Sequence, residues 1–306
     1  MSKTPGEAAA YTALFADLLP GQDIRVWPDE IGDPEDIEFA VIGEPEPGVL
    51  AGLPNLRAVL SLWAGVDGLL ADDSFPRDVP LARMVDPLLT TDMTHFAIHW
   101  VLHFHRDIPR YIALQQERLW KPRNYYEASE RRVGVMGLGN LGTHAAKAIS
   151  GLGFDVAGWN SSPRDIPDVE TFIGPDRIWP FLARTDILIV LLPLTRQTRG
   201  IVNAETLLAL PDGAYLINLA RGPHVVESDL MAALDSGRLA GAVLDVFNQE
   251  PLPVNHPFWT HPKVWVTPHI ASKTTPRTAA AEAAIDIRRL LAGKMPRHLV
   301  DFDRGY

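Results

Sequence analysis

Short apolar runs that alternate with amphipathic stretches organise most of this chain. In the middle of the chain these runs predict β-strands at 132–136, 154–159, 186–192, 214–218, 242–244 and 264–267. Helical stretches lie between them, for example 227–236. Continuous apolar strands alternating with helices are typical of a parallel sheet covered on both faces. We therefore expect a doubly wound α/β domain here.

The first third of the chain predicts a smaller α/β unit. Glu7 to Leu19 has helical periodicity. Short apolar runs separated by Pro and Gly clusters predict strands at 24–27, 38–42 and 56–61. A last helix is predicted from Pro276 to Ala292, and its return to the first unit would make that unit discontinuous. The predicted domains are 1–95 with 275–306, and 96–274.

A long helical stretch, predicted from Thr91 to Trp120, is interrupted only by Pro109. It is apolar around much of its circumference, which predicts burial between domains or between the subunits of a homodimer. His95, His99 and His103 share one face of it. A zinc or nickel site is one interpretation. Three ligands on one rigid helix rise too far along its axis to meet one ion easily, so we expect a packed helix and no metal.

Composition excludes several classes of protein. The chain has 306 residues, enough for two domains, and it has no cysteine. Disulfides, thiolate metal sites and cysteine nucleophiles are therefore excluded. A formal net charge of −10 argues against nucleic acid and anionic membrane partners. The first ten residues lack the apolar core of a signal peptide, and the apolar run 187–192 is too short to span a bilayer, so we expect a cytoplasmic protein.

A glycine-rich turn follows the first strand of the middle region. The pattern G-x-G-x-x-G lies between the strand 132–136 and a helical stretch 143–152. In this pattern the glycines permit a tight turn, a close backbone approach to a pyrophosphate, and close helix packing. The anion then lies at a helix N-terminus. This setting predicts a Rossmann dinucleotide-binding domain. The residues expected to contact the cofactor are Gly137, Leu138, Gly139, Asn140, Leu141 and Gly142.

The loop after the next strand bears on the choice of cofactor. Sites for NAD usually place Asp or Glu there, to hold the ribose 2′-hydroxyl. Here the loop contains Asn160, Ser161, Ser162 and Arg164, and no carboxylate precedes Asp165. Hydroxyls and a guanidinium would bind a 2′-phosphate, which a carboxylate would repel. We therefore expect NADPH, with NADH possible; a polar loop that only turns the chain is the other interpretation.

Three charged side chains follow strand candidates of the predicted sheet. They are Arg221, Glu250 and His269. Ligands bind outside the carboxyl ends of such strands. Taken singly, they fit a surface arginine beside a turn glycine, a carboxylate that caps a loop and a packed core histidine. Together they supply the cation, carboxylate and imidazole that reduction of a keto acid needs.

These segments resemble the D-isomer-specific 2-hydroxyacid dehydrogenase family. The segment 211–222 and the Arg–Glu–His series carry the likeness, which extends over nearly the whole chain. Segments 61–67, 119–122 and 304–306, with the loop 160–164, are similar to the family's bacterial glyoxylate/hydroxypyruvate reductases of the A type. The resemblance implies a flavodoxin-like substrate domain beside the Rossmann domain.

The resemblance also implies roles for the charged residues. Arg221 would hold the substrate carboxylate or polarise its carbonyl. His269, when protonated, would donate a proton to the carbonyl oxygen as hydride reaches the neighbouring carbon. Glu250 would accept a hydrogen bond from the other imidazole nitrogen, which fixes the ring and stabilises its charged form.

Further contacts follow from the same resemblance. Backbone N–H groups near Ala64 and Gly65 would bind the substrate carboxylate. Trp63 stands beside them where a smaller residue is expected, which leaves the size of the substrate open. Asp245 would orient the nicotinamide amide, and Pro193 would line the cofactor cleft.

Two classes of function fit these observations. The first is an oxidoreductase that reduces glyoxylate or hydroxypyruvate, or a related dehydrogenase for a bulkier 2-keto acid, formate or phosphite. The second is a nucleotide-sensing regulatory protein of the same fold, since fold alone does not separate the two. The intact Arg221, Glu250 and His269 favour catalysis, and the acidic charge disfavours contact with DNA.

Overall fold

The structure is a computed structural model that describes residues 7–124 and 126–306. The chain forms two compact units. The smaller unit joins the segment ending at Leu89 to Lys273–Tyr306, and the larger unit is Thr90–Ser272. The sequence placed the first boundary at 95/96. The boundary lies earlier because Thr90 bonds within the larger unit, where its hydroxyl accepts a hydrogen bond from the Asn140 amide at 2.8 Å.

Strands and helices alternate through both units. In the described residues the strands are β1 (Phe39–Ile42), β2 (Ala58–Ser61), β3 (Leu81–Ala82), β4 (Arg132–Met136), β5 (Asp155–Asn160), β6 (Glu170–Ile173), β7 (Ile187–Val190), β8 (Ala214–Asn218), β9 (Leu239–Leu244) and β10 (Val264–Val266). The helices are α1 (Glu7–Leu18), α2 (Asp67–Leu70), α3 (Pro87–His105), α4 (Ile108–Gln116), α5 (Asn140–Ser150), α6 (Ile178–Ala183), α7 (Ala204–Ala209), α8 (Glu227–Asp235) and α9 (Pro276–Leu291). None of these helices is long and apolar enough to cross a bilayer.

The smaller unit is built on the parallel sheet β1-β2-β3. Helices α1 and α9 cover one face, where Phe15 and Leu60 pack with a row of alanines on α9 that includes Ala280 and Ala283. A second apolar cluster, which includes Phe75 and residues of β1 and β2, packs apart from it. The first and last described segments of the chain therefore share one core.

The predicted strand at 24–27 is wrong. Residues 24–26 have no regular structure, and a turn begins at Trp27, where the Val26 carbonyl accepts a hydrogen bond from the Glu30 N–H at 2.9 Å. The Arg25 guanidinium donates to the Ile31 carbonyl and to Asp36, each at 2.9 Å, and so holds the segment in a loop. The pattern also did not predict β3, which is only two residues long.

The predicted helix from Thr91 to Trp120 is two helices. Helix α3 ends at His105 and α4 begins at Ile108. Asp107 between them has a positive φ of 56°, which ends the first helix. Pro109 lies in the first turn of α4, where its missing N–H would have no partner within the helix. The proline therefore starts a new helix.

The larger unit contains a seven-stranded parallel sheet in the order β10-β9-β8-β7-β4-β5-β6. The chain runs outward from β4 to β6, returns to β7, and winds the other way to β10. Strands β4 and β7 are therefore neighbours where the winding reverses, and ligands bind at such a point. This confirms the predicted doubly wound fold with a second, smaller α/β unit.

Apolar clusters cover both faces of the larger sheet. One includes Phe181 of α6 and Leu234 of α8, and the other includes Val101 of α3 and Ala145 of α5. The central strands are buried on both sides, which is why their sequences are continuous apolar runs. All the strands predicted in this part of the chain form, β4 and β8 with the predicted ends and the others with shifted ends. The pattern missed β6, an edge strand in which only one of the four residues is buried.

Candidate active site

The glycine-rich turn lies between β4 and α5, next to the end of β7. Gly137 has a positive φ of 103°, and a Cβ there would lie 2.8 Å from the Leu191 carbonyl oxygen. A Cβ on Gly142 would lie 1.8 Å from the Gly137 oxygen. A Cβ on Gly139 would meet no described atom within 4 Å. Two glycines thus permit the turn itself, and the third leaves open space beside the backbone.

The start of α5 suits an anion. Gly139 precedes the helix and has no side chain to cap it. N–H groups in the first turn of a helix have no partner within the helix, so they suit a pyrophosphate. The N–H of Leu138 is not available to an anion, because it donates to Asn160 Oδ1 at 3.2 Å, and the Leu138 side chain is fully buried. Leu138 therefore supports the turn, as does the half-buried Leu141 that packs on the core.

The loop after β5 is tied to this turn by Asn160. The amide of Asn160 accepts from Leu138 and donates to the Ser162 carbonyl at 2.8 Å and to its hydroxyl oxygen at 3.1 Å. Ser161 and Arg164 are exposed. The loop 160–164 therefore offers hydroxyls and a guanidinium, without a carboxylate, beside the anion-binding turn. These residues fit a cofactor that carries a 2′-phosphate.

His269 and Glu250 form a close pair. His269 Nδ1 lies 2.7 Å from Glu250 Oε2, and their side chains are 47% and 36% exposed, so a ligand can reach them. The other oxygen of Glu250 accepts the N–H of Phe247 at 2.9 Å. The carboxylate is therefore anchored to its own loop while it contacts the ring.

The loop after β10 is held by Asp245, which is buried. Its carboxylate accepts hydrogen bonds from the Thr267 hydroxyl at 2.6 Å and from the N–H groups of Ile270 and Ala271 at 2.9 Å. His269 has a positive φ of 53°, and its N–H donates to the Asp245 carbonyl at 2.9 Å. Asp245 thus fixes the strained loop that presents the imidazole, while its contact with nicotinamide stays a prediction.

Arg221 follows β8 in a loop shaped by Asn218. The amide of Asn218 accepts from the Ala220 N–H at 3.2 Å and donates to the Arg221 carbonyl at 2.9 Å. A Cβ on Gly222 would lie 1.9 Å from the Phe247 carbonyl carbon. Only glycine permits this approach, so the backbone beside Arg221 touches the loop that carries Glu250.

Sequence reasoning missed His224, which is fully buried. Its Nδ1 lies 3.1 Å from the Arg221 carbonyl oxygen, and its Nε2 lies 3.2 Å from the Pro193 carbonyl oxygen. The Pro193 carbonyl also accepts from the Thr198 hydroxyl at 2.6 Å. A histidine three positions after Arg221 matches no spacing rule, so only the folded chain shows this contact.

The predicted substrate-binding segment lies in the smaller unit, after β2. The Ser61 hydroxyl oxygen accepts the Trp63 N–H at 3.1 Å, and the Trp63 carbonyl accepts the Met84 N–H at 3.0 Å. Trp63 is 45% exposed, and Ala64 and Gly65 are half-buried. Their contact with a substrate stays a prediction.

Two histidines of the stripe on α3, His99 and His103, belong to an aromatic cluster. The His103 ring lies 5.1 Å from that of Trp100 and 5.6 Å from that of Trp265. Burial, with a smaller contribution from His99, lowers the pKa of His103. Across residues 7–124 and 126–306, no group of three His, Asp or Glu side chains is placed to hold a metal ion.

The fold and these loops together define a dinucleotide-binding α/β protein of the dehydrogenase type. A family model described as D-isomer specific 2-hydroxyacid dehydrogenase, NAD binding domain, matches residues 98–271. The chain belongs to the D-isomer specific 2-hydroxyacid dehydrogenase family, as its sequence predicted.

Individual relatives cover almost the whole chain. The chain is 42% identical to glyoxylate/hydroxypyruvate reductase A of Salmonella paratyphi B, over 98% of this chain and 96% of the relative. Its fold is similar to a D-isomer specific 2-hydroxyacid dehydrogenase from Xanthobacter autotrophicus Py2 in complex with NADPH and MES, with a TM-score of 0.94, 44% identity and coverage of 98% and 96%. It is also similar to an NADPH-dependent glyoxylate/hydroxypyruvate reductase from Sinorhizobium meliloti in complex with NADP and sulfate, with a TM-score of 0.90, 38% identity and coverage of 99% and 97%.

Proposed function

We propose that this protein is an NADPH-dependent reductase of small 2-keto acids, with glyoxylate and hydroxypyruvate as substrates. The observation that carries the proposal is the 2.7 Å contact between His269 Nδ1 and Glu250 Oε2, on a pair that a ligand can reach. The Salmonella and Sinorhizobium relatives bear the name of this activity, which supports the choice of substrates.

The cofactor site is assigned to the turn and the loop beside it. The pyrophosphate would lie at the N-terminus of α5, against the open side of Gly139. Ser161, Ser162 and Arg164 would hold the 2′-phosphate, and Pro193 would line the cleft. When bound, NADPH supplies the hydride to the keto carbon. The Xanthobacter structure holds NADPH and the Sinorhizobium structure holds NADP, which supports this cofactor over NADH.

His269 is assigned as the general acid of the reduction. Its Nδ1–H donates to Glu250, so Nε2 is the nitrogen left to face a substrate. A protonated Nε2 donates its proton to the carbonyl oxygen as negative charge develops there. Glu250 stabilises the cationic ring before transfer, and afterwards keeps the neutral ring in the tautomer with its proton on Nδ1.

Substrate binding is assigned to a cation and a backbone segment. Arg221 would pair with the carboxylate of the keto acid, in a charge-assisted contact that also polarises the carbonyl. The N–H groups of Ala64 and Gly65, which follow Trp63 in the smaller unit, are the backbone groups that we assign to a substrate carboxylate.

A panel of keto acids tests the proposal. Purified protein is assayed with NADPH and with NADH against glyoxylate, hydroxypyruvate, pyruvate and a bulky 2-keto acid, by loss of nicotinamide absorbance. We expect turnover of the first two with NADPH, and its loss in His269→Gln with cofactor binding retained. Binding of NADPH without turnover of any acid would instead identify a nucleotide-sensing protein.

We also propose that the protein is a cytoplasmic homodimer. Exposed apolar side chains at Leu102, Ile108 and Ile112 lie on α3 and α4, and exposed apolar surface of this kind suits a protein interface. Trp100, in contrast, is buried within the larger unit and needs no partner to cover it. Light scattering on wild type and Ile112→Asp tests this, with a dimer expected for wild type and a monomer for the variant.

A further inference from the structure

The His224 imidazole touches the backbone of two segments of the candidate site. Its two ring nitrogens lie 3.1 Å and 3.2 Å from the carbonyl oxygens of Arg221 and Pro193. Arg221 follows β8 and Pro193 follows β7, and these two strands are neighbours in the sheet. One side chain thus spans the two loops assigned to the substrate carboxylate and the cofactor cleft.

The backbone that carries His224 is itself fixed. His224 ends a short 3-10 helix from Gly222, and the Val225 N–H donates to the Gly222 carbonyl at 2.9 Å. The His224 carbonyl accepts the Val202 N–H at 2.9 Å. The backbone of His224 is therefore fixed by hydrogen bonds to β8's own loop and to the segment that contains Val202.

Packing alone does not account for a histidine here. Burial of an imidazole is unfavourable unless its nitrogens are hydrogen-bonded, and an apolar side chain would fill the same space without that penalty. Both nitrogens face carbonyl oxygens, which only accept hydrogen bonds. A ring with a proton on each nitrogen donates to both carbonyls, and these polar contacts distinguish His224 from an apolar core residue.

We propose that His224 is a positioning residue that sets the separation of the Arg221 and Pro193 loops, and thereby aligns the keto acid with the cofactor. This inference rests on the proposed function, because it uses the roles assigned there to Arg221 and Pro193. Through Nδ1 the ring fixes the loop that presents the Arg221 guanidinium. Through Nε2 it fixes the loop that lines the cofactor cleft.

The two contacts can be separated by substitution. The amide nitrogen of asparagine takes the place of Nδ1, and that of glutamine takes the place of Nε2. Neither carbonyl loses its last donor when the ring is removed, since Asn218 also donates to Arg221 and Thr198 also donates to Pro193. Variants at His224 are therefore expected to fold.

The test compares His224→Gln, His224→Asn and His224→Phe in the full chain. NADPH affinity is measured by nicotinamide fluorescence, the KM for glyoxylate at saturating NADPH, and Tm by calorimetry. We expect His224→Gln to keep the NADPH Kd and raise the KM about five- to tenfold, the effect of one lost hydrogen bond. His224→Asn should raise the Kd by a similar factor and keep the KM, and His224→Phe should change both.

His105→Phe is the matched control, because His105 is also a buried histidine in the larger unit but packs on Phe154. It should change neither constant. Equal changes in the Gln and Asn variants, or unchanged constants in all three, would overturn the positioning role. If wild type reduces no keto acid, the proposed function fails, and the NADPH Kd still decides this inference. A higher Kd for NADPH in His224→Asn than in His224→Gln supports it, and equal values overturn it.

Discussion

The carboxylate of Glu250 accepts from two donors at once, since Oε2 lies 2.7 Å from His269 Nδ1 and Oε1 accepts the Phe247 N–H at 2.9 Å. Glu250→Gln supplies only one acceptor oxygen. If that oxygen stays with Phe247, the amide N–H₂ faces Nδ1 and forces the ring to accept there, which disfavours the protonated ring. We expect kcat for glyoxylate to fall about tenfold to a hundredfold, as measured by steady-state kinetics.

The control for this prediction is the NADPH Kd, which should not change. A Glu250→Gln enzyme with wild-type kcat would show that the pair is not coupled in the reaction, although His269 could still be the proton donor.

Arg221→Ala tests the substrate cation. Loss of a charge-assisted contact made in the transition state is expected to raise the activation barrier by about 2–4 kcal/mol, read from kcat/KM. NADPH should still bind, because the glycine-rich turn lies on β4 and α5 while Arg221 follows β8. Near-normal kcat/KM would remove Arg221 from the mechanism.

Arg164→Ala tests the choice of cofactor. The exposed guanidinium is expected to pair with the 2′-phosphate, so its removal should weaken NADPH binding and leave NADH binding unchanged. The measurement is the ratio of kcat/KM for the two cofactors. Lys147→Ala is the matched control, because it removes an exposed cation from the last turn of α5, at the far end of the helix from the turn. An unchanged ratio in Arg164→Ala would mean that another group holds the phosphate.

Acid is expected to destabilise the protein through His105. Burial, with smaller contributions from Arg131 and Arg106, lowers the pKa of His105, and its Nδ1 has no hydrogen-bond partner among the described residues. The unfolded chain therefore binds a proton more readily than the folded chain. The contribution of the neutral His105 to the free energy of unfolding is therefore fully present above the ordinary histidine pKa of about 6.5. It is lost as the pH falls below that value.

Denaturant unfolding at about pH 7.5 and about pH 5.5, on either side of that pKa, measures the effect. The pH dependence of the free energy of unfolding should be smaller in His105→Phe than in wild type. His105→Gln separates charge from packing, since it too cannot titrate. A pH dependence that both variants retain in full would contradict the prediction.

The sheet of the larger unit was predictable because its strands are buried on both faces and are therefore continuously apolar. Elements at the margins were not. β6 is an edge strand, β3 has two residues, and the segment 24–27 is apolar but held in a loop by the Arg25 guanidinium. Pro109 was read as an interruption within a helix, whereas the positive φ of Asp107 makes it the start of another.

The candidate site was predictable at positions where only one type of residue fits. Gly137 and Gly142 are such cases, because any side chain there would clash with backbone. The pairing of His269 with Glu250 was expected from the family resemblance, and the structure places them in contact. His224 was not predictable, because a buried histidine acquires its partners only when distant loops meet.

The shared core of α1 and α9 has a consequence for synthesis. The residues of α9, among them Ala280 and Ala283, pack with Phe15 of α1, although most of the chain lies between them. As the polypeptide leaves the ribosome, the larger unit is complete before α9 emerges, and domains generally fold as units during translation. Helix α1 thus reaches its final packing only after the whole larger unit has been made, and until then the face that α9 will cover is exposed to chaperones and proteases.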